Sequence, residues 1–181
     1  MQKGDEMSVS ILVTYATRTG STKGVAEAIA KTITENGLSV DLLPMQDVKD
    51  LTTYQALIVG SAIQNRQWLP EAMQFLQAHR STLAQKRVAT FTLCMTLAMK
   101  NGKKYRPDIM EWLSPVRRAV NPVSEGLFAG ILDISKIPSF SDRLKFRLSV
   151  LFGVWSEGDH RDWDAIQVWA KDLPQKLGLE V

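Results

Sequence analysis

The sequence is poor in the residues that form disulfides, metal sites and membrane spans. Its 181 residues include one cysteine, Cys94, which excludes an internal disulfide. The only two histidines, His79 and His160, fall in no metal-ligand spacing, so we expect no metal site. There is no apolar run of about 18 residues, so no membrane-spanning helix is expected. The N-terminal stretch MQKGDEMSVS has no long apolar segment, which predicts a cytoplasmic protein without a signal peptide.

A strong charge excess and low-complexity tracts are also missing. The net charge is +3, which weakly favours anionic ligands or surfaces. No basic stripe is interleaved with aromatic residues, so nucleic-acid binding is not expected. Hydrophobic residues make up 45% of the chain and charged residues 23%, a composition that argues against disorder. The length suits one α/β domain over residues 1–181.

Apolar strand patterns alternate with amphipathic helix patterns along nearly the whole chain. Strands are predicted over 9–15, 38–42, 57–61, 88–93 and 127–132. Helices are predicted over 21–36, 71–79, 107–113 and 163–173. The third helix is expected to stop near Ser114-Pro115, and Asp159 or Asp162 is expected to cap the last. This alternation predicts a parallel sheet with helices on both faces.

The stretch YATRTGSTKGVAEAIA, residues 15–30, places four hydroxyl side chains where the first strand turns into a helix. Ligands of open parallel sheets bind at this edge, and a helix N-terminus attracts anions. Gly20 permits a tight turn and a close backbone approach. The Walker pattern requires Gly-Lys followed by Ser or Thr, and here Lys23 precedes Gly24 instead. The dinucleotide pattern G-x-G-x-x-G is also absent. An ordinary helix cap needs one hydroxyl, so four favour a phosphate site.

These residues carry a resemblance. Thr17 to Thr22 match the T-x-T-G-x-T phosphate loop of flavodoxins at every fixed position. The resemblance implies a doubly wound sheet of five parallel strands in the order 2-1-3-4-5, here with an insertion after the fifth strand. It also implies FMN as the cofactor. The phosphate-binding residues that it implies are Thr17, Arg18, Thr19, Gly20, Ser21 and Thr22.

Two further loops should wrap the flavin ring by the same resemblance. The residues implied are Ser61, Ala62, Ile63, Gln64 and Asn65 in one loop, and Cys94, Met95, Thr96 and Leu97 in the other. Trp68 either stacks on the ring or packs against the following helix. Cys94 is expected to be an inert buried thiol rather than a redox centre. Asp133 either approaches the ligand or stabilises a turn.

A narrower resemblance points to a specific activity. The stretches TYATRTGST, LIVGSAIQNRQW, FAGIL and RDWDAI look like those of the menaquinone-dependent protoporphyrinogen oxidases. This implies FMN-dependent oxidation of protoporphyrinogen IX in heme biosynthesis, with electrons passed to a quinone. Substrate propionates would meet cations, and the cations considered are Arg66, Arg143, Lys145 and Arg147. Each of these is alternatively a solvated surface charge.

Two other functions stay open. One is a flavodoxin-type electron carrier without its own substrate. Such carriers tend to be acidic, and the net charge here is +3. The other is an NAD(P)H-dependent FMN quinone or azo-type reductase, although the sequence contains no nicotinamide-site signature. Neither the catalytic residues beyond the flavin nor the oligomeric state follows from the sequence.

The stretch SFSDRLKFRLSVLFGVW, residues 139–155, predicts an amphipathic helix. Leu144, Leu148, Leu151 and Phe152 share one face, with Trp155 nearby. Cations beside Leu, Phe and Trp are typical of a helix that lies at a membrane surface. The alternative is that this face packs on the domain, as most amphipathic helices do.

Overall fold

The computed structural model describes residues 10–179. Its main sheet contains five parallel strands: β1 (Ser10–Ala16), β2 (Ser39–Pro44), β3 (Ala56–Gln64), β5 (Arg87–Leu93) and β6 (Ser124–Phe128). A two-residue strand, β4 (Gln67–Trp68), forms an antiparallel hairpin with β3. The order β2-β1-β3-β5-β6 is 2-1-3-4-5 when the five parallel strands are counted along the chain. The predicted doubly wound α/β fold is therefore confirmed.

Seven α-helices accompany the strands in the described residues. They are α1 (Ser21–Glu35), α2 (Pro70–Ala78), α3 (Arg80–Leu83), α4 (Arg106–Trp112), α5 (Ser114–Val120), α6 (Phe140–Leu151) and α7 (Trp163–Lys176). Asp162 caps α7, because its carboxylate accepts a hydrogen bond from the amide of Ala165. Among residues 10–179, no helix has the length and hydropathy to cross a bilayer.

Two apolar cores lie on the two faces of the sheet. Side chains alternate along β1, so that Ile11 and Val13 face one core and Leu12 faces the other. The first core packs α1 and α7 onto the sheet, and the second packs α2 and α5. Because helices cover both faces of the sheet, the first six residues of the central strand β3 are all buried and do not alternate between buried and exposed.

The chain departs from the predicted elements in two places. The expected strand over 127–132 is wrong in its second half, because the chain leaves the sheet at Ala129 and Gly130. Residues Ile131–Leu132 form β7, which pairs with β8 (Gly158–Asp159) in a separate two-stranded ribbon. The predicted helix over 107–113 ends at Trp112, as expected before Ser114-Pro115, but an unpredicted helix, α5, starts at Ser114 with the proline in its first turn. Val9, the first residue of the predicted first strand, lies outside the described residues.

Candidate functional site

The loop between β1 and α1 has the conformation of an anion site. Gly20 adopts φ +87°, a left-handed conformation, and immediately precedes the helix. Its amide donates to the hydroxyl of Thr17 over 3.1 Å, which closes the turn. The first amides of α1 have no acceptor within the helix and bear partial positive charge. No acidic residue occupies the first turn of α1, so nothing there opposes an anion.

Two hydroxyls at the start of α1 fit a bound phosphate. The Thr22 hydroxyl is fully buried and has no hydrogen-bond partner among the described residues. Such an orphaned group is costly unless a ligand satisfies it. Ser21 Oγ accepts a hydrogen bond from the amide of Ile131 over 3.0 Å, which leaves its proton to donate elsewhere. The residues present therefore suit the phosphate of a flavin nucleotide.

A cleft of about 480 Å³ opens beside this loop at the carboxyl ends of the central strands. This size is typical of a cofactor or small-molecule site. The wall residues come from the phosphate loop, from the ends of β3 and β5, and from the segment after β6. They are Arg18, Thr19, Ser21, Ala62, Ile63, Gln64, Leu69, Leu93, Met95, Gly130, Ile131, Leu132, Asp133, Ile137, Pro138, Ser139, Asp142 and Phe146.

Seven of the sixteen predicted flavin-binding residues line this cleft: Arg18, Thr19, Ser21, Ala62, Ile63, Gln64 and Met95. Arg18 is oriented by Glu71, which accepts a hydrogen bond from its guanidinium over 3.1 Å. The other nine are not in the cleft wall: Thr17, Gly20, Thr22, Ser61, Asn65, Trp68, Cys94, Thr96 and Leu97. Of these nine, Thr17, Gly20 and Thr22 shape the phosphate loop.

Trp68 is a correction to the sequence interpretation. Its side chain is 1% exposed and belongs to the core between the sheet and α2. The indole Nε1 donates to the hydroxyl of Thr92 over 2.9 Å, which fixes the ring inside the protein. Stacking of Trp68 on a flavin is incompatible with this position, so the packing alternative is the correct one. The β3–β4 hairpin produces it by pairing Trp68 with Ile63.

Ser61 and Cys94 are also inside the protein rather than in the cleft wall. The Ser61 hydroxyl donates to the carbonyl of Ala62 and accepts from the amide of Leu69, so it organises the end of β3. Burial raises the pKa of the Cys94 thiol, and a hydrogen bond to Thr96 offsets this only partly. A buried neutral thiol is a poor nucleophile, as the inert-thiol interpretation requires.

The sequence interpretation missed the wall that follows β6. This wall comprises β7, Asp133, residues 137–139 and the inner face of α6. Asp133 has the turn role considered for it, because it accepts from the amide and hydroxyl of Ser135, and it also lies in the cleft wall. Those hydrogen bonds lower the pKa of the Asp133 carboxyl. The only sequence signal was the amphipathic pattern of 139–155, which identifies a helix but not the face that meets the cleft.

The α6 helix is oriented with its apolar face outward. Asp142, Phe146 and Val150 point toward the protein, and Phe146 packs edge-on against Trp155 with ring centroids 6.0 Å apart. The outer face consists of Phe140, Leu144, Leu148, Leu151 and Phe152, which are 46–79% exposed. The alternative in which Leu144, Leu148, Leu151 and Phe152 pack on the domain is therefore wrong.

The comparisons with known proteins agree with this geometry. The family model for the flavodoxin domain matches residues 12–161. The chain belongs to the flavodoxin domain family. Membership implies a flavin cofactor and a role in oxidoreduction or electron transfer. No curated protein matches the sequence significantly.

Solved structures share the flavodoxin fold at low sequence identity. A short-chain flavodoxin associated with a bacterial microcompartment is 15% identical, with a TM-score of 0.58 over 94% of this chain and 97% of that one. The apo form of the NADH:FMN oxidoreductase EMOB is also 15% identical, with a TM-score of 0.55 over 95% of this chain and 90% of that one. A flavodoxin from the domain Archaea is 20% identical, with a TM-score of 0.53 over 93% and 99%.

Proposed function

We propose that this flavodoxin-family protein is an FMN-dependent dehydrogenase that oxidises a porphyrinogen, protoporphyrinogen IX, and passes the electrons to a quinone. The observation that carries the proposal is the apolar wall beyond the phosphate loop. Leu69, Leu93, Met95, Ile131, Ile137 and Phe146 contribute to it. Apolar side chains of this kind suit the flat flavin ring and, beside it, the macrocycle of a tetrapyrrole substrate. The resemblance to menaquinone-dependent protoporphyrinogen oxidases supports the same activity.

The roles of individual residues follow from the cleft. Thr17, Thr19, Gly20, Ser21 and Thr22 would hold the FMN phosphate, with Arg18 beside it. When bound, FMN supplies the acceptor for hydrogen removed from the substrate, and reoxidation reduces the quinone to its quinol. The protein's own contribution is orientation and exclusion of water by the apolar wall.

The cations considered for the substrate carboxylates differ in their surroundings. Arg143 donates to the carbonyls of Ile137 and Pro138, and Lys145 pairs with Asp142, so both are already engaged. Arg66 lies over the ring of Trp112 at 5.9 Å. Arg147 is exposed and forms no ion pair within residues 10–179. Arg66 and Arg147 are therefore the two exposed cations of this group that no carboxylate among the described residues engages.

A quinone acceptor requires contact with the bilayer, and the outer face of α6 is suited to it. Its exposed leucine and phenylalanine side chains would enter the headgroup boundary, and Arg147 would meet anionic lipids. The other face of the same helix lines the cleft through Asp142 and Phe146. A lipid-soluble acceptor would thus reach the cleft without crossing bulk water.

Anaerobic reduction of the FMN-loaded protein tests the function. Protoporphyrinogen, NADH and NADPH are added in parallel, and flavin bleaching is followed by stopped-flow absorbance. We expect bleaching by protoporphyrinogen and recovery of the oxidised spectrum on adding menaquinone. Rapid bleaching by NADPH alone would favour the reductase alternative. Bleaching by none of the three would favour the electron carrier.

A further inference from the structure

The segment that follows β5 carries a cluster of cations. It comprises the 3-10 turns Met95–Ala98 and Gly102–Tyr105 and ends at Arg106; we call residues 95–106 the basic loop. Its sequence, MTLAMKNGKKYR, contains Lys100, Lys103, Lys104 and Arg106 and no acidic residue. The whole chain has a net charge of +3 and the basic loop alone contributes +4, so the remaining residues sum to −1. Without the basic loop, the chain would therefore have no net positive charge.

The backbone of the basic loop is compact, and its four cationic side chains are exposed. The amide of Gly102 donates to the carbonyl of Met99 over 2.8 Å, and that of Lys104 donates to Asn101 over 3.1 Å. A Cβ atom at Gly102 would lie 2.3 Å from the carbonyl oxygen of Leu97, so the turns pack backbone against backbone. Lys100, Lys103, Lys104 and Arg106 form no ion pair within the part of the chain that the structure describes.

The basic loop and α6 border the same cleft. The loop begins at Met95, and Met95 and Phe146 of α6 both line the cleft wall. The basic loop follows the carboxyl end of β5, and α6 forms another part of the cleft at that edge of the sheet, so both elements belong to the carboxyl end of the sheet. An acidic protein partner would match the cations but would leave the leucine and phenylalanine side chains of α6 in water. An anionic bilayer matches both the cations and the apolar face.

We propose that the basic loop is a second membrane-docking element, which binds anionic lipid headgroups while α6 inserts beside it. The inference rests on the proposed membrane contact of α6 and adds a separate electrostatic site to it. Stable peripheral binding usually needs two signals, because one apolar element alone binds marginally and reversibly. The apolar face of α6 supplies the first signal, and the cations of the basic loop supply the second. Together they set the mouth of the cleft against the bilayer that contains the acceptor.

Vesicle binding of the FMN-loaded full chain tests the proposal. The vesicles contain phosphatidylcholine alone or with about one third phosphatidylglycerol, in low and in high salt. The test variant is Lys100→Gln/Lys103→Gln/Lys104→Gln. The matched control is Arg80→Gln/Arg87→Gln/Arg118→Gln, which removes the same charge around a groove at the opposite end of the sheet. Thermal melting shows whether each variant is folded.

We expect the loop variant to bind anionic vesicles on the order of a hundred-fold more weakly at low salt, with the difference lost at high salt. The control should bind within a fewfold of the wild type. If both variants bound anionic vesicles equally weakly, the net charge of the protein and not the basic loop would account for binding, and the proposal would be overturned. Wild-type binding by the loop variant, or no vesicle binding by the wild type, would also overturn it. Reduction by detergent-solubilised protoporphyrinogen, measured on the same variants, reports the proposed activity separately.

Discussion

Two threonines near the phosphate loop, Thr14 and Thr22, both have buried hydroxyls but lie in different elements. The hydroxyls of Thr14 and Thr22 are both buried, and neither has a hydrogen-bond partner among the described residues. Thr14 lies within β1, whereas Thr22 lies in the first turn of α1, where a phosphate would be held. Substituting each threonine in turn therefore distinguishes the loss of a buried hydroxyl, which both substitutions cause, from the loss of a contact with the phosphate, which only the substitution of Thr22 would cause.

We expect Thr22→Val to weaken FMN binding by about 1 kcal/mol, or roughly fivefold, because one hydrogen bond to the phosphate is lost. The apoprotein should not be destabilised, since an unpaired buried hydroxyl contributes no favourable bond. Fluorescence titration with FMN measures the affinity, and urea unfolding measures the stability. The control, Thr14→Val, should leave FMN affinity unchanged. Equal weakening by both substitutions would contradict the assignment of Thr22 to the phosphate.

Single residues also show where sequence reasoning stops. The hydroxyl-rich turn at residues 17–22 was readable because it is local: a strand end, a glycine in a left-handed conformation and a helix start follow in order. The position of Trp68 was not readable. It depends on the Asn65-Arg66 turn, in which both residues have positive φ, and on a partner, Thr92, that lies 24 residues away. Long-range partners leave no local pattern.

At the scale of elements, the helix α1 followed from its periodicity, because Val25, Ile29 and Ile33 face one core. The end of β6 did not follow, because the run from Leu127 to Leu132 is apolar throughout. Only the tertiary structure divides it, by pairing β7 with β8. The outward apolar face of α6 was one of two alternatives, since periodicity identifies a face but not what covers it.

The orientation of α6 makes a prediction of its own. Leu148→Glu/Leu151→Glu should abolish sedimentation with anionic liposomes and leave the melting temperature nearly unchanged, because Leu148 is 46% exposed and Leu151 76%. A matched substitution on the inner face, Phe146→Ala, should lower the melting temperature instead, since Phe146 packs against Trp155. A large fall in melting temperature for the double Glu variant would contradict the outward orientation of these leucines.

Asp159 in β8 and the nearby Arg161 form an ion pair, whose contribution to stability has a predictable pH dependence. Arg161 donates to both oxygens of Asp159 over 2.8 and 2.6 Å, and its guanidinium lies 4.2 Å from the ring centre of Trp163. The hydrogen bonds from Arg161 lower the pKa of the Asp159 carboxyl below its usual 3.8. A carboxyl with a lowered pKa stabilises the fold fully above its unfolded pKa and loses this effect as the pH falls through its folded pKa.

We therefore expect Asp159→Asn to lower the free energy of unfolding at pH 7 by about 1 kcal/mol, a small value because the carboxylate is partly solvated. The difference from the wild type should shrink as the pH falls below about 4, where the carboxyl of the unfolded chain becomes protonated, and should be lost once the pH has also passed the lower pKa of the native carboxyl. Urea unfolding of both proteins between neutral and acidic pH measures it. Asp47→Asn is the control and should give no comparable difference, because Asp47 is exposed and forms no ion pair within the described residues. A gap that stays constant with pH would contradict the role of the ion pair.

At the scale of the whole molecule, the phosphate loop couples cofactor binding to folding. It joins β1 to α1, and α1 packs on both the sheet and α7, so the loop has its native form only in the folded protein. The hydroxyl of Ser21 also accepts from Ile131, which connects the loop to the ribbon and the far wall of the cleft. A ligand of this loop therefore stabilises the native state and has no comparable site on the unfolded chain.

FMN should accordingly raise the melting temperature of the apoprotein. At a free concentration about 100 times its dissociation constant, it should stabilise the fold by about 2.7 kcal/mol. For a chain of this length that corresponds to a shift of roughly 5–10 °C. Riboflavin has the same ring without the phosphate, so at the same concentration its shift should be much smaller. Calorimetry of the apoprotein with each ligand measures both shifts. Equal melting-temperature shifts with FMN and riboflavin would mean that the flavin ring alone accounts for binding, which would contradict the assignment of the phosphate to residues 17–22.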